Sequence, residues 1–181
     1  MFCNTSQAIA AEIIAMSEVD QQMRTSGQWD ATIDEGNTGR MREIVRQIGW
    51  PGRSKVGEEA AHCAWLLVQH ADHDPAFQEE CLALMRAQPV GEVAPADIAY
   101  LEDRVRIHAR RPQLYATQFY VDHTGAFGPG PLEDPEHVDE RRKAVGLAPL
   151  TEYVAIMKRV YRDLWHTSPR MQKAWERLDN I

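Results

Sequence analysis

The sequence is poor in cysteine and has no long apolar run. Its three cysteines, Cys3, Cys63 and Cys81, form no CxxC pair, which argues against a disulfide framework and a zinc knuckle. We expect Cys63 and Cys81, which lie among apolar residues, to be small buried side chains without a catalytic role. No stretch reaches the roughly 18 apolar residues of a membrane span, and the start lacks the pattern of a signal peptide. A cytoplasmic protein without membrane contact is therefore expected.

Positive charge is in deficit. The chain carries 20 Lys and Arg residues against 27 Asp and Glu residues, a formal net charge of −7. Nucleic-acid binding draws on a basic surface to neutralise phosphates, so no nucleic-acid partner is expected. The length of 181 residues fits one domain with a sizeable core.

Motifs that hold common cofactors are also missing. The sequence has no glycine-rich phosphate loop, no dinucleotide fingerprint and no serine nucleophile elbow. We therefore expect no cofactor, and chemistry other than redox chemistry.

Apolar spacing and capping residues predict a mainly helical fold with one small β-hairpin. The first helix contains Ile9 and Ile13, and residues 25–39 are expected to form a loop. Further helices are predicted at residues 40–48 (ended by a left-handed Gly49), 58–71, 75–88 (opened by Asp74 and Pro75), 96–109, 135–146, 151–166 and after Pro169. The hairpin is predicted from a strand at 113–121 and a second arm at 126–132.

The predicted domain covers residues 1–153. Residues 154–181 would form a helical extension that either packs on the domain or provides the contact of a homo-oligomer.

The segment "QHADHDPAFQ", residues 69–78, concentrates ionisable side chains. His70, Asp72, His73 and Asp74 are compatible with a metal site, an acid–base site or a polar junction between helices, and spacing alone leaves these alternatives open. We expect His70 at the end of a helix, because Asp74 and Pro75 open the next one.

Two other polar groups are candidates. In "YLEDRVRI", the guanidinium of Arg104 could hold an anion, or it could belong to a solvated helix face. The predicted strand "QLYATQFY" has amides on both sides, so it would line a cleft or form an exposed edge. Asp20 and Arg24 in "DQQMR" are spaced for an ion pair, which we expect at the surface.

Taken in order, these segments resemble a bacterial domain family of unknown function. Its members share a GWP turn, a QHAD segment, a DR pair, a Q-x-Y-x-T-Q strand and a late VD-x-R-R segment, and the match runs from Ile13 to Tyr153. The resemblance implies that His70 and Asp72 are the informative pair. It also marks Ala116 as a departure, because the family commonly has glycine there.

We expect a small enzyme that acts on a small polar or anionic substrate by hydrolysis or addition–elimination. His70 would be the general acid or base, Asp72 would orient it, and Arg104 would hold the anion. The expected substrate-binding residues are Gln69, Asp103, Gln113, Tyr115, Thr117, Gln118 and Arg141. The alternatives are a non-catalytic module that binds a protein or peptide along its polar strand, and a metal-dependent hydrolase.

Overall fold

The computed structural model describes residues 2–26, 28–121 and 127–167 of the chain. The fold is mainly helical with a two-stranded antiparallel hairpin, as predicted. The chain divides into two compact units, Met1–Leu101 and Glu102–Ile181. The domain of residues 1–153 with its extension, expected from the sequence, stays a prediction.

The first unit is built from helices. They are α1 (Phe2–Ser26), α2 (Ala31–Ile48), α3 (Arg53–Val56), α4 (Glu58–Gln69), α5 (Pro75–Arg86) and the first half of α6 (Pro95–His108). Helix α4 packs against α1, α2, α3 and α5. Its buried side chains include Ala64, Leu67 and Val68, so this helix lies at the centre of the unit.

The loop predicted for residues 25–39 is wrong. Helix α1 continues to Ser26, and α2 begins at Ala31, where the Asp30 carboxylate caps the helix by accepting a hydrogen bond from the N–H of Thr32 at 2.9 Å. The inward positions of the first turns of α2 carry Asp34 and Thr38, both buried. Because these inward positions are polar, the first turns of α2 lack the apolar spacing from which a helix is predicted.

The helix ends lie at the capping residues predicted from the sequence, and only the conformation of Gly49 differs from the prediction. Asp74 caps α5 by accepting a hydrogen bond from the N–H of Phe77 at 3.1 Å, and Pro75 is the first residue of that helix, as expected. Gly49 ends α2, but its φ of 70° and ψ of −163° lie outside the predicted left-handed helical region. This extended conformation with positive φ is essentially restricted to glycine.

The second unit contains a shorter hairpin than predicted. Strands β1 (Phe119–Val121) and β2 (Phe127–Pro129) pair antiparallel, with Tyr120 opposite Gly128. Residues 113–118 are not a strand, because Ala116 has a φ of 55° that breaks extended backbone. The second arm keeps only one isolated bridge beyond β2, between Gln113 and Leu132. Ala126, the first residue of the predicted second arm, lies outside the described residues.

Two helices complete the second unit. A 3₁₀ turn (Pro135–His137) leads into α7 (Val138–Ala144), and α8 spans Leu150–Thr167. Gly146, with a φ of 78°, follows α7 as predicted. Helix α8 leaves Ile156 and Val160 exposed, and its role in an oligomer stays a prediction. The helix predicted after Pro169 lies outside the described residues.

Across the described part of the chain, no helix combines the length and the apolar character that crossing a bilayer would require.

Candidate functional site

His70 lies where helix α4 ends. It is the C-terminal capping residue, and its backbone N–H donates to the carbonyl of Leu66 at 3.1 Å. Its side chain is 17% exposed. The expected position of His70 at the end of a helix is therefore confirmed.

The hydrogen-bond partner of the His70 ring is Asp20 in helix α1. Nδ1 of His70 lies 2.8 Å from Oδ2 of Asp20, and the Asp20 side chain is fully buried. Asp72, which the sequence favoured as the orienting carboxylate, lies in the exposed turn after α4. The geometry therefore gives the orienting position to a residue that is 50 positions away in the sequence.

Arg24 joins Asp20 to a second carboxylate. Its Nε donates to Oδ1 of Asp20 at 3.1 Å, and its Nη2 donates to Oδ1 of Asp34 at 2.6 Å. The guanidinium also lies 4.8 Å from the ring centroid of Trp29, within the range of a cation–π contact. The ion pair expected at the surface is instead part of a largely buried network, so that expectation is wrong.

The two carboxylates are tuned in opposite directions. Burial raises the pKa of Asp20, but the hydrogen bonds and charges of His70 and Arg24 outweigh it and lower the pKa to about 2. Burial raises the pKa of Asp34 above its ordinary value, despite the opposing charge of Arg24. Asp20 is therefore ionised at neutral pH and accepts hydrogen bonds, while the ionised form of Asp34 is stabilised less.

The sequence contains a signal that Asp20 is buried. The i,i+4 spacing of Asp20 and Arg24 led to the prediction of a surface ion pair instead. The buried positions of α1 include Ile9, Ile13, Ser17, Asp20 and Met23, which recur every three or four residues. A carboxylate in phase with the apolar stripe of a helix is buried unless the helix end frays. That phase, rather than the i,i+4 partner, indicates a buried Asp20.

The side chain of Gln78 fixes the end of α4. Gln78, fully buried on α5, donates through Nε2 to the carbonyls of Val68 and Gln69 at 3.1 and 3.2 Å. Gln69 itself is buried, and its Oε1 accepts no hydrogen bond from the described residues. These contacts position the backbone from which His70 projects.

The remaining expected site residues lie in the second unit. Asp103, fully buried on α6, accepts hydrogen bonds from the backbone N–H groups of Leu114, Tyr115 and Thr117 and from the Thr117 hydroxyl, at 2.7 to 3.2 Å. Four donors on one carboxylate hold the 113–118 loop in its turn. The contacts of Asp103 are those of a residue that positions a loop.

Gln113 and Gln118 are engaged with each other. Oε1 of buried Gln113 accepts from the N–H of Gln118 at 2.8 Å, and its Nε2 donates to the Gln118 carbonyl at 3.0 Å. The Gln118 side chain donates to the Thr117 hydroxyl at 3.1 Å. The Gln113 amide therefore closes the loop on the Gln118 backbone, and the Gln118 amide contacts the neighbouring Thr117.

Arg141 of the second unit also contacts backbone. Arg141 donates to the carbonyls of Leu114, Glu133 and Asp134, each at 2.7 Å. Arg104, the expected anion holder, is half-buried on α6. Its role, like that of Tyr115, stays a prediction.

Within the described ranges, no three His, Cys, Asp or Glu side chains are arranged to hold a metal ion. Cys81 is buried, which raises the pKa of its thiol, and Cys63 is half-buried.

Of the comparisons with known proteins, the one with family models found a match. Searches of curated proteins and of solved structures each found no match. A family described as a family of unknown function, DUF6624, matches residues 5–164. This match extends beyond the segment from Ile13 to Tyr153 on both sides and covers most of the chain. The chain therefore belongs to the DUF6624 family of unknown function.

Proposed function

We propose that this protein is a small acid–base enzyme in which Nε2 of His70 transfers the proton. The observation that carries the proposal is the 2.8 Å contact between Nδ1 of His70 and the fully buried carboxylate of Asp20. A carboxylate at Nδ1 fixes the tautomer that places the proton there, which leaves the lone pair of Nε2 available as a base.

Arg24 supports this role through Asp20. Its guanidinium keeps Asp20 ionised, so Asp20 orients the imidazole and stabilises the imidazolium without taking the proton. Among the described residues, none forms a hydrogen bond with Nε2 of His70, and the side chain is partly exposed. A substrate atom can therefore approach that nitrogen.

The reaction class that fits is hydrolysis or addition–elimination on a small polar substrate. In either case Nε2 removes a proton from water or from carbon and returns it to the leaving group, and the proton count is restored each turnover. The docking-edge alternative gains no support from the second unit. The N–H groups of Leu114, Tyr115 and Thr117 donate to the Asp103 carboxylate, and that of Gln118 donates to the Gln113 side chain, so these groups are not presented to a partner strand.

The proposal is tested by turnover of a panel of activated esters, amides, phosphoesters and β-elimination substrates. Any activity of the wild type should fall by about 100-fold or more in His70→Gln. Asp20→Asn, which alters a positioning residue, should lower kcat and change the pH profile of kcat/KM. His73→Gln alters an exposed histidine three residues away and is the control.

A readout independent of substrate is carbethoxylation of histidine, followed residue by residue by mass spectrometry. With Nδ1 engaged, the reactive nitrogen of His70 is Nε2, and Asp20→Asn should change its modification rate while leaving that of His73 unchanged. If His70 only clamps α1 to α4, His70→Gln would lower stability and leave every detected activity intact. That result would refute the proposal.

A further inference from the structure

The first unit contains a cavity of about 300 Å³ that the His70 centre does not use. Its walls come from the turn after α2, from the start of α4 and from the segment that enters α6. The residues relevant to its chemistry are Trp50, Arg53, Glu58, His62, Glu92 and Asp97. Neither His70 nor Asp20 lines it.

Asp97 is an incompletely satisfied carboxylate in this wall. The residue is 8% exposed, yet its side-chain hydrogen bonding is limited to a long contact of 3.4 Å between Oδ2 and Nδ1 of His62. Oδ1 accepts no hydrogen bond from the described residues. His62 is itself mostly exposed, with 58% of its side chain accessible. With 12% of the Asp97 side chain accessible, Oδ1 can accept a hydrogen bond from a donor in the cavity.

The charge of the lining favours a cationic donor. Glu58, Glu59, Glu92 and Asp97 face the cavity together with a single guanidinium, that of Arg53. Arg53 is exposed, and its Nη2 lies 3.3 Å from Oε1 of Glu58.

Glu92 is already engaged. Its Oε2 accepts from both the N–H and the hydroxyl of Ser54, at 3.0 and 2.9 Å. Glu58 and Glu59 are exposed to solvent, so Asp97 is the most buried carboxylate of the lining.

The occupant suggested by this lining is an organic cation. In the described part of the chain these carboxylates do not converge as the ligands of a metal ion would. The cavity is also bordered by Ala61, Val93 and Ala94, against which a short alkyl chain can pack. A volume of about 300 Å³ lies at the lower end of small-molecule sites.

We propose that this cavity binds a small organic monocation, a primary ammonium or a guanidinium, whose N–H groups donate to Asp97. Burial raises the pKa of Asp97 despite the opposing influence of His62, which agrees with a carboxylate whose charge is incompletely compensated by the surrounding residues. The site is independent of the proton transfer proposed for His70.

The test is a calorimetric titration of the full chain with butylammonium. The neutral and anionic analogues, butanol and butyrate, measure the contribution of the apolar chain alone. We expect saturable butylammonium binding and at least tenfold weaker binding of both analogues. Asp97→Asn should weaken butylammonium binding at least tenfold, in line with a hydrogen bond to a charged group. Glu35→Gln, on an exposed part of α2, is the matched control and should bind as the wild type does.

A second variant protects the test against a trivial loss of fold. Ala94→Leu adds bulk to the cavity wall without altering charge, and it should reduce butylammonium binding while circular dichroism stays that of the wild type. The proposal is overturned if no saturable binding occurs up to about 10 mM butylammonium. It is equally overturned if butanol binds as tightly, or if Asp97→Asn binds with wild-type affinity.

Discussion

At the scale of single residues, Asp20 and Asp34 share one guanidinium but depend on it differently. Asp20 is fully buried and accepts from both His70 and Arg24, whereas Asp34 has Arg24 as its charged partner. Replacing one member of a buried pair leaves the other charge without compensation, and this costs more than the pair itself contributes.

We therefore expect Asp20→Asn to lower the free energy of unfolding by about 2–4 kcal/mol at pH 7. Asp34→Asn should cost less than about 1 kcal/mol, because the raised pKa of Asp34 means that the fold already favours its neutral form. Urea unfolding followed by circular dichroism measures both. Equal costs for the two variants would show that the network does not distinguish the carboxylates.

At the scale of elements, the end of helix α6 carries a strained residue. The N–H of Arg111 donates to the carbonyl of Arg106 at 2.8 Å, and that of Arg110 donates to Ile107 at 2.9 Å. This is the Schellman pattern, and it places Arg110 at the left-handed position with a φ of 56°, where glycine is preferred.

Arg110→Gly should raise the free energy of unfolding by about 0.5–1 kcal/mol, because relief of the left-handed strain exceeds the added entropy of the unfolded chain. Arg111→Gly removes the same side chain from a neighbour without positive φ, so it should lower stability instead. Thermal melts of the two variants give the comparison. A gain in both variants would assign the effect to lost positive charge.

The 113–118 loop is an element held by one side chain. Asp103→Asn keeps the shape of the side chain but turns an N–H₂ group toward backbone donors. We therefore expect it to lower the free energy of unfolding by about 2–4 kcal/mol. Asp139 offers a control in the same unit, because its exposed carboxylate accepts from a single N–H, that of Leu150. Asp139→Asn should cost less than about 1 kcal/mol by urea unfolding. If the two costs are similar, Asp103 does not hold the loop.

What the sequence could predict of these elements depended on whether the signal was local. The start of α5 was predicted because Asp74 and Pro75 act on their own helix. The 113–118 segment was predicted as a strand because its composition is that of a strand. The carboxylate that bends it, Asp103, lies at least ten residues earlier, and the left-handed Ala116 has no local marker. The glycine that the resemblance implies at this position would adopt that positive φ more readily than alanine does.

At the scale of the whole molecule, the same distinction governs the candidate site. The sequence predicted that His70 lies at a helix end, because both flanking helices are marked locally. It did not pair His70 with Asp20, because that contact depends on how α1 packs against α4. The periodicity of a sequence indicates which face of each helix is buried, but it does not indicate which residues of another helix that face contacts.

Packing of this kind makes the stability of the molecule depend on pH. The pKa of Asp20 falls from 3.8 to about 2 on folding. A lowered carboxyl pKa contributes stability that is fully present above pH 3.8 and is lost as the pH falls toward 2. The raised pKa values of Asp34 and Asp97 act in the opposite sense, because their contributions are present at low pH and are lost as the pH rises through the folded values.

The difference between wild type and Asp20→Asn isolates the first of these effects. The gap in unfolding free energy should be constant from pH 7 to about pH 5 and should narrow by about 2 kcal/mol on acidification to pH 2. Urea unfolding at a series of pH values measures it, and Asp34→Asn serves as the comparison, because its difference from wild type should change with pH in the opposite direction. A gap that stays constant down to pH 2 would mean that Asp20 is not the anion on which the His70 centre depends.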